Sequence, residues 1–265
     1  MQKDSIQGTI LVALGVCLVC SVLVSGAAVA LSSIQKENKR LDKVKNILVA
    51  GGLYDASQDI QTVYENKVVP LLVELDTGRI IGKDQYPEGI EAGTYDLKKM
   101  AKDPEMGRSV DRGEDIANIR NRPKHIFVYQ VIENGKLEKV VLPIYGYGLW
   151  STLYGFISLG SDFKTIQGLT YYEHAETPGL GGEVDNPRWK GLWQGKKAFD
   201  ESGNVAISVI KGAVDPKSAR AQYQVDGLSG ATITTRGVHN MLNYWLSEKG
   251  YGRLIETLKQ GGARG

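Results

Sequence analysis

The chain has 265 residues, enough for one sizeable core or two small ones. Its formal net charge of +2, with Lys and Arg scattered and no basic stripe interleaved with aromatics, gives no basis for a nucleic-acid partner. The two cysteines, Cys17 and Cys20, both lie in the first apolar stretch, which excludes a disulfide framework, a zinc site or a thiolate iron–sulfur site in everything that follows.

No charged side chain occurs from Ser5 to Gln35, and Ile10 to Leu31 is almost wholly Ala, Val, Leu, Ile, Gly, Ser and Cys. A bilayer core needs roughly 20 such residues in a helix, so residues 10–33 are read as a transmembrane helix preceded by a short segment, 1–9. A cleaved signal peptide ending near Ala28-Val29-Ala30 is the alternative, but its apolar region usually runs only about 7–15 residues. Cys17 and Cys20 then read as small apolar residues of a membrane helix. Lys36, Lys39, Arg40, Lys43 and Lys45 follow the span and only Lys3 precedes it, so the positive-inside rule alone would leave the large domain in the cytoplasm.

Leu41, Val44, Ile47 and Leu48 keep a helical period, which predicts that the helix continues past the span until Gly51-Gly52 stops it. Asp55 to Lys67 reads as a second helix and Val68 to Leu75 as a strand. Gly82 to Pro123 is polar and rich in Gly, Asp and Lys, and reads as an excursion with little core of its own, a docking surface or a flap. His125 to Ile144 holds two β-branched runs around Asn134-Gly135, a type I′ hairpin signal. Leu153 to Leu159, Thr165 to Tyr172 and Val205 to Ile210 read as further strands. Val238, Met241, Leu242 and Trp245 fall at i, i+3, i+4 and i+7, the face of an amphipathic helix that begins close to Thr234 or Thr235. The sum is an α+β architecture: one N-terminal membrane helix, then a mainly antiparallel sheet with flanking helices.

Asp226-Gly227-Leu228-Ser229-Gly230-Ala231-Thr232-Ile233-Thr234 precedes that last helix. Gly227 and Gly230 let the backbone turn sharply; Ser229, Thr232, Thr234 and Thr235 supply hydroxyls; a helix N-terminus favours an anion. Spacing alone also fits an ordinary Ser/Thr cap after a glycine turn. A second segment, Glu173-His174-Ala175-Glu176-Thr177-Pro178-Gly179-Leu180-Gly181-Gly182, has the Pro and Gly content of a tight loop with free backbone N–H groups.

Both segments, in this order, resemble the FMN-binding domain family. The first is similar to its flavinylation motif, in which the final threonine takes FMN through a phosphoester, and the second to its E-T-P-G-L-G loop beside the flavin. The resemblance implies covalent FMN on Thr234, with Thr235 the close competitor. It implies cofactor contacts from Ser229, Gly230, Ala231 and Thr232 and from Glu176, Thr177, Gly179, Leu180 and Gly181. It places the FMN-binding domain at 125–265, after a helical and irregular part at 34–124. With the N-terminal anchor, it implies an electron-transfer subunit of a sodium-translocating NADH:ubiquinone reductase, a bacterial inner-membrane complex of six subunits. The soluble domain would then be periplasmic, against the charge reading, since domains are translocated largely regardless of a modest charge bias. The implied partners are the other subunits, membrane lipid and a flavin transferase for maturation. The Rnf electron-transport complex has a subunit with both motifs, and it is the alternative within the family.

Among other residues, Tyr145, Tyr147 and Trp150 are candidates to wall the isoalloxazine, though core packing explains each equally well. His174 and Glu176 are candidate hydrogen-bond partners or proton carriers, and Lys211 a candidate phosphate or flavin partner. No G-x-G-x-x-G follows a strand, so the chain reads as an electron carrier without its own NADH site. No residue is assigned as catalytic and none as a metal ligand. Two other classes compete: a hydrolase with Thr234 or Ser229 as nucleophile, for which no base is recognisable near His125, His174 or His239, and a cofactor-free, membrane-anchored assembly module.

Overall fold

The structure is a computed structural model that describes residues 6–261, and it divides into two units, residues up to Asp42 and residues from Lys43. The first unit is helix from Ile6 onward, part of α1 (Ile6–Gly51). Its apolar stretch has a mean hydropathy of 2.6 and none of it is buried in protein, so by length and composition it is able to cross a membrane.

The second unit begins with the last turns of α1, where Val44, Ile47, Leu48 and Ala50 are buried. The helix ends as the glycine pair predicts. Gly52 takes φ +68, its N–H donates to Val49 O at 3.1 Å, and Leu53 N–H donates to Leu48 O at 2.8 Å, which closes the C-terminus. Ser158 Oγ donates to Ala50 O at 2.5 Å and ties this end to the sheet. Helix α2 covers only Ile60–Lys67, shorter than the predicted Asp55 to Lys67. Asp59 caps it by accepting from Thr62 N–H at 2.8 Å, and Asp55 is spent on a turn with Ser57.

Strands β1 (Val68–Glu74) and β2 (Arg79–Ile81) lead into a short helix, α3 (Leu97–Lys102), and a small ribbon of β3 (Gly107–Ser109) and β4 (Asn121–Pro123). The hairpin of β5 (His125–Glu133) and β6 (Lys136–Tyr147) turns at Asn134, φ 51, and Gly135, φ 72, as its sequence predicts. Next come β7 (Thr152–Gly160) and β8 (Ile166–Glu173). The six-stranded sheet has the order β2-β1-β5-β6-β7-β8 and every pairing is antiparallel.

Both faces of this sheet are covered. Alternate residues of β5 point to opposite sides: Phe127, Tyr129 and Val131 pack with the end of α1, while Ile126 and Val128 join the larger core. Gly82 to Pro123 differs from its sequence reading, because its few apolar residues seal both sides. Ile90 and Tyr95 pack under the α1 face, Ala117 and Ile119 on the other, and the Tyr95 hydroxyl donates to His125 O at 2.6 Å. Sparse, aperiodic apolar residues give no periodic signal even when each is buried.

Beyond β8 lie α4 (Pro187–Gly191), then β9 (Ser208–Val209), parallel to β10 (Gln224–Val225). The predicted strand Val205 to Ile210 shrinks to that pair because it lies outside the main sheet. Helix α5 (Thr232–Leu246) lies on β6 with Val238, Met241, Leu242 and Trp245 buried, the face predicted for it. Glycine makes the approach close: a Cβ on Gly237 would stand 2.4 Å from Tyr147 O, and one on Gly146 would stand 2.8 Å from Met241 Cβ. Trp245 Nε1 donates to Tyr145 O at 2.7 Å, and α6 (Gly252–Lys259) closes the same face. This docking carries the start of α5 to the turn that joins β6 to β7.

Candidate functional site

The N-cap of α5 is Ala231, a residue that has no capping oxygen, and no side chain caps the helix. Thr232 and Ile233 form the first helical positions and are exposed, as are Ser229 and Gly230 before them. Thr234 is therefore the third residue of a helix that starts two residues before the start expected near Thr234 or Thr235, and it is fully buried, at 0% exposure. Its hydroxyl donates to Glu176 Oε2 at 2.6 Å. Thr235, one residue on and turned by about 100°, points elsewhere: its Oγ1 accepts from Leu228 N–H at 3.0 Å.

Glu176 is the hub. It comes from the loop after β8, 58 residues before Thr234, and is itself buried. Its Oε1 accepts from Trp150 N–H at 2.9 Å, from Leu149 N–H at 3.1 Å and from Ser151 N–H at 3.2 Å. Burial works against its charge, but the Thr234 hydroxyl and these backbone N–H groups outweigh it and hold the carboxyl below the usual glutamate range. One carboxylate thus ties together the β6–β7 turn, the Glu176 loop and α5.

The loop is built to come this close. A Cβ on Gly181 would stand 2.6 Å from Thr234 Oγ1 and 2.7 Å from Glu176 Oε2, and Gly230, at φ +69, lies against Leu180. Leu180 and Gly182 N–H both donate to Thr177 O, which folds the Pro178-Gly179 tip back on itself. His174 braces the base: Nδ1 accepts from Glu176 N–H at 3.2 Å, which leaves the ring proton on Nε2, 2.7 Å from Asp185 Oδ2. That spends both nitrogens on the loop and gives His174 a supporting role.

Apolar side chains remain uncovered around the pair. Trp150 is 65% exposed, Ile233 53% and Leu180 44%, and Leu149 is exposed beside them. Large apolar groups exposed together mark a binding surface. Leu149 and Ile233 carry no motif of their own, and sequence reasoning missed them; only their positions next to Trp150 and Thr234 point to them.

The other candidates are placed elsewhere. Tyr145 is buried in the core, its hydroxyl donating to Asn121 O at 2.7 Å and its ring packed on Tyr154 and Trp245. Tyr147 is exposed and lies against α5 at Gly237. Lys211 is exposed on the bend that meets the motif at Gly227, whose N–H donates to Gly212 O at 2.9 Å. Among the described residues no cluster of His, Cys, Asp and Glu is able to hold a metal ion.

The uncapped first turn suits a phosphate, the glycine-lined loop a close ligand, and the exposed apolar ring a flat aromatic one. Comparison with known proteins agrees. Residues 148–247 match the FMN-binding domain family. The chain is 46% identical over 264 residues to the NqrC subunit of the Na(+)-translocating NADH-quinone reductase of Pseudomonas aeruginosa, covering 98% of this chain and 99% of the relative. It is 42% identical to the corresponding protein of Neisseria meningitidis, covering 99% and 98% of the two chains. The crystal structure of NqrC from Shewanella oneidensis superposes with a TM-score of 0.75 at 35% identity, over 84% of this chain and 99% of that one. Matched almost end to end in this way, the chain belongs to the NqrC family of the Na(+)-translocating NADH-quinone reductase and carries an FMN-binding domain.

Proposed function

We propose that this chain is the electron-transfer subunit of a membrane-bound, sodium-translocating NADH:quinone reductase, with FMN linked through its phosphate to Thr234. The observation that carries the linkage is the site at the start of α5: a buried threonine hydroxyl in a first turn that no side chain caps. The N–H groups of that turn and the helix dipole would hold the phosphate. Leu149, Trp150, Leu180 and Ile233 would seat the ring system and keep water from one side of it. Bound FMN would supply one- and two-electron redox chemistry, and the protein supplies position and electrostatics. Full-length similarity to NqrC chains favours this complex over the Rnf-type alternative. Absorbance of protein matured with a flavin transferase and then denatured tests the linkage. Flavin should stay with the chain; flavin released on denaturation, or its absence, would contradict it.

The remaining partners follow from the same reading: the five other members of a complex of six subunits, and the lipid around the 10–33 span. One span free of charged side chains offers no ion path, so sodium passes through other subunits. The same reading puts the domain in the periplasm; the family resemblance supports it, and the basic run after the span speaks against it. A reporter that works only after export, fused behind Gly265, should be active; an active cytoplasmic reporter in its place would reverse the orientation.

A further inference from the structure

If Thr234 receives the flavin, its hydroxyl must lose a proton as it attacks phosphorus. Among the described residues that hydroxyl has one hydrogen-bond partner, the Glu176 carboxylate at 2.6 Å; the Gly181 backbone beside it offers no side chain to take a proton. The neighbouring hydroxyls lack such a partner. Thr235 Oγ1 is turned to Leu228 N–H, and Ser229 and Thr232 are exposed to water.

We infer that Glu176 is the proton acceptor for flavin attachment to Thr234, so that this chain brings its own base to the transferase reaction and thereby selects Thr234 among the motif hydroxyls. The inference rests on the reading of Thr234 as the attachment site. FMN itself has no good leaving group on phosphorus, so the donor is an FMN phosphoanhydride, a flavin dinucleotide held by the transferase. Thr234 Oγ attacks the flavin-side phosphorus, and the new O–P ester bond forms as the anhydride P–O bond breaks. The nucleoside monophosphate leaves with the bridging oxygen, and the hydroxyl proton passes to Glu176 Oε2 and then to water. No electron changes hands.

Burial makes the geometry selective as well as reactive. At 0% exposure Thr234 has no water to take its proton, and the Leu180-Gly181 turn must move aside before a donor reaches it. Glu176 need not move with that turn. Three N–H groups, of Leu149, Trp150 and Ser151, hold its carboxylate from the β6–β7 side. Opening the loop tip therefore exposes an oxygen that is still bonded to its base.

The test is a time course of intact mass for the detergent-solubilised full chain with purified transferase and flavin dinucleotide, across a pH series. Glu176→Gln keeps the shape and an acceptor oxygen but loses the base; circular dichroism and melting temperature check its fold. Removing a general base lowers a rate by about 10²–10⁴-fold, so folded Glu176→Gln should load at least about 100-fold more slowly at neutral pH. Its rate should climb with pH as hydroxide substitutes, while the wild-type rate stays flat, a difference that a merely structural glutamate would not produce. Folded Glu176→Gln that loads within threefold of wild type with the same pH profile overturns the inference. If that variant does not fold, Glu176→Asp, a base one methylene shorter, decides: markedly slower loading supports the inference and an unchanged rate overturns it. Wild-type chain that takes no flavin, or takes it at another residue, overturns the Thr234 reading itself, which is a separate result.

Discussion

At the scale of residues, the site depends on what is missing as much as on what is present. Gly181 leaves room for Thr234 and Glu176 to meet, and any side chain there would push their oxygens apart. Gly181→Ala is expected to lower the fraction of chains that carry flavin after maturation, read by intact mass, with loss of the Thr234–Glu176 hydrogen bond as the cause. Loading at the wild-type rate and extent would contradict that geometry. The motif hydroxyls and the Glu176 loop were both legible in the sequence, because glycine, proline and threonine cluster in recognisable order. Their contact was not legible, since 58 residues separate Glu176 from Thr234 and nothing local encodes which carboxylate meets which hydroxyl. Tyr145 had two readings in the sequence, flavin wall and core, and local pattern did not separate them. Its place in an aromatic run made it a candidate for the flavin wall; its ring packs on Tyr154 and Trp245 and is buried, while Trp150, past the strand end, stays exposed.

At the scale of elements, α5 sets the position of the site by lying almost directly on β6. Its amphipathic face was readable from period alone, and so was the β5–β6 hairpin from Asn134-Gly135. The closeness of the packing was not, because it depends on Gly146 and Gly237 facing each other's elements across the interface. Gly237→Ala forces a methyl group to within 2.4 Å of Tyr147 O unless the helix shifts. Overpacking of this kind costs about 1–3 kcal/mol, so the urea midpoint of the detergent-solubilised chain should fall with an unchanged slope. The same shift moves the first turn of α5 against the Glu176 loop, so flavin loading should fall with stability. A variant as stable as wild type would show that α5 is less tightly seated than described. Gly82 to Pro123 marks the limit of periodic reading at this scale: Ile90, Tyr95, Ala117 and Ile119 are buried singly, from turns and irregular backbone, where no period exists to detect.

At the scale of the whole molecule, the apolar N-terminal helix was plain from composition, and its last turns do a second job in the domain core. Lys43 sits there with its ammonium donating to Tyr95 O at 3.1 Å and near the Tyr95 and Tyr129 rings. Burial lowers its pKa to about 8, against the pull of Asp96 toward the ordinary value of 10.5. Between those two values the unfolded chain binds the proton more tightly than the folded one, so this group makes stability rise as pH rises from about 8. Urea unfolding at several pH values should show that rise in wild type and lose it in Lys43→Met; an equal pH dependence in both would contradict the assignment. Sheet, loop and helix converge on one buried oxygen, that of Thr234, the proposed attachment point. Peptide mass mapping of protein co-expressed with the flavin transferase tests it most directly. The expected result is an FMN phosphoester on Thr234, absent from folded Thr234→Ala and retained in Thr235→Ala. An FMN mass on Thr235 or Thr232, or one that persists in Thr234→Ala, would contradict the account.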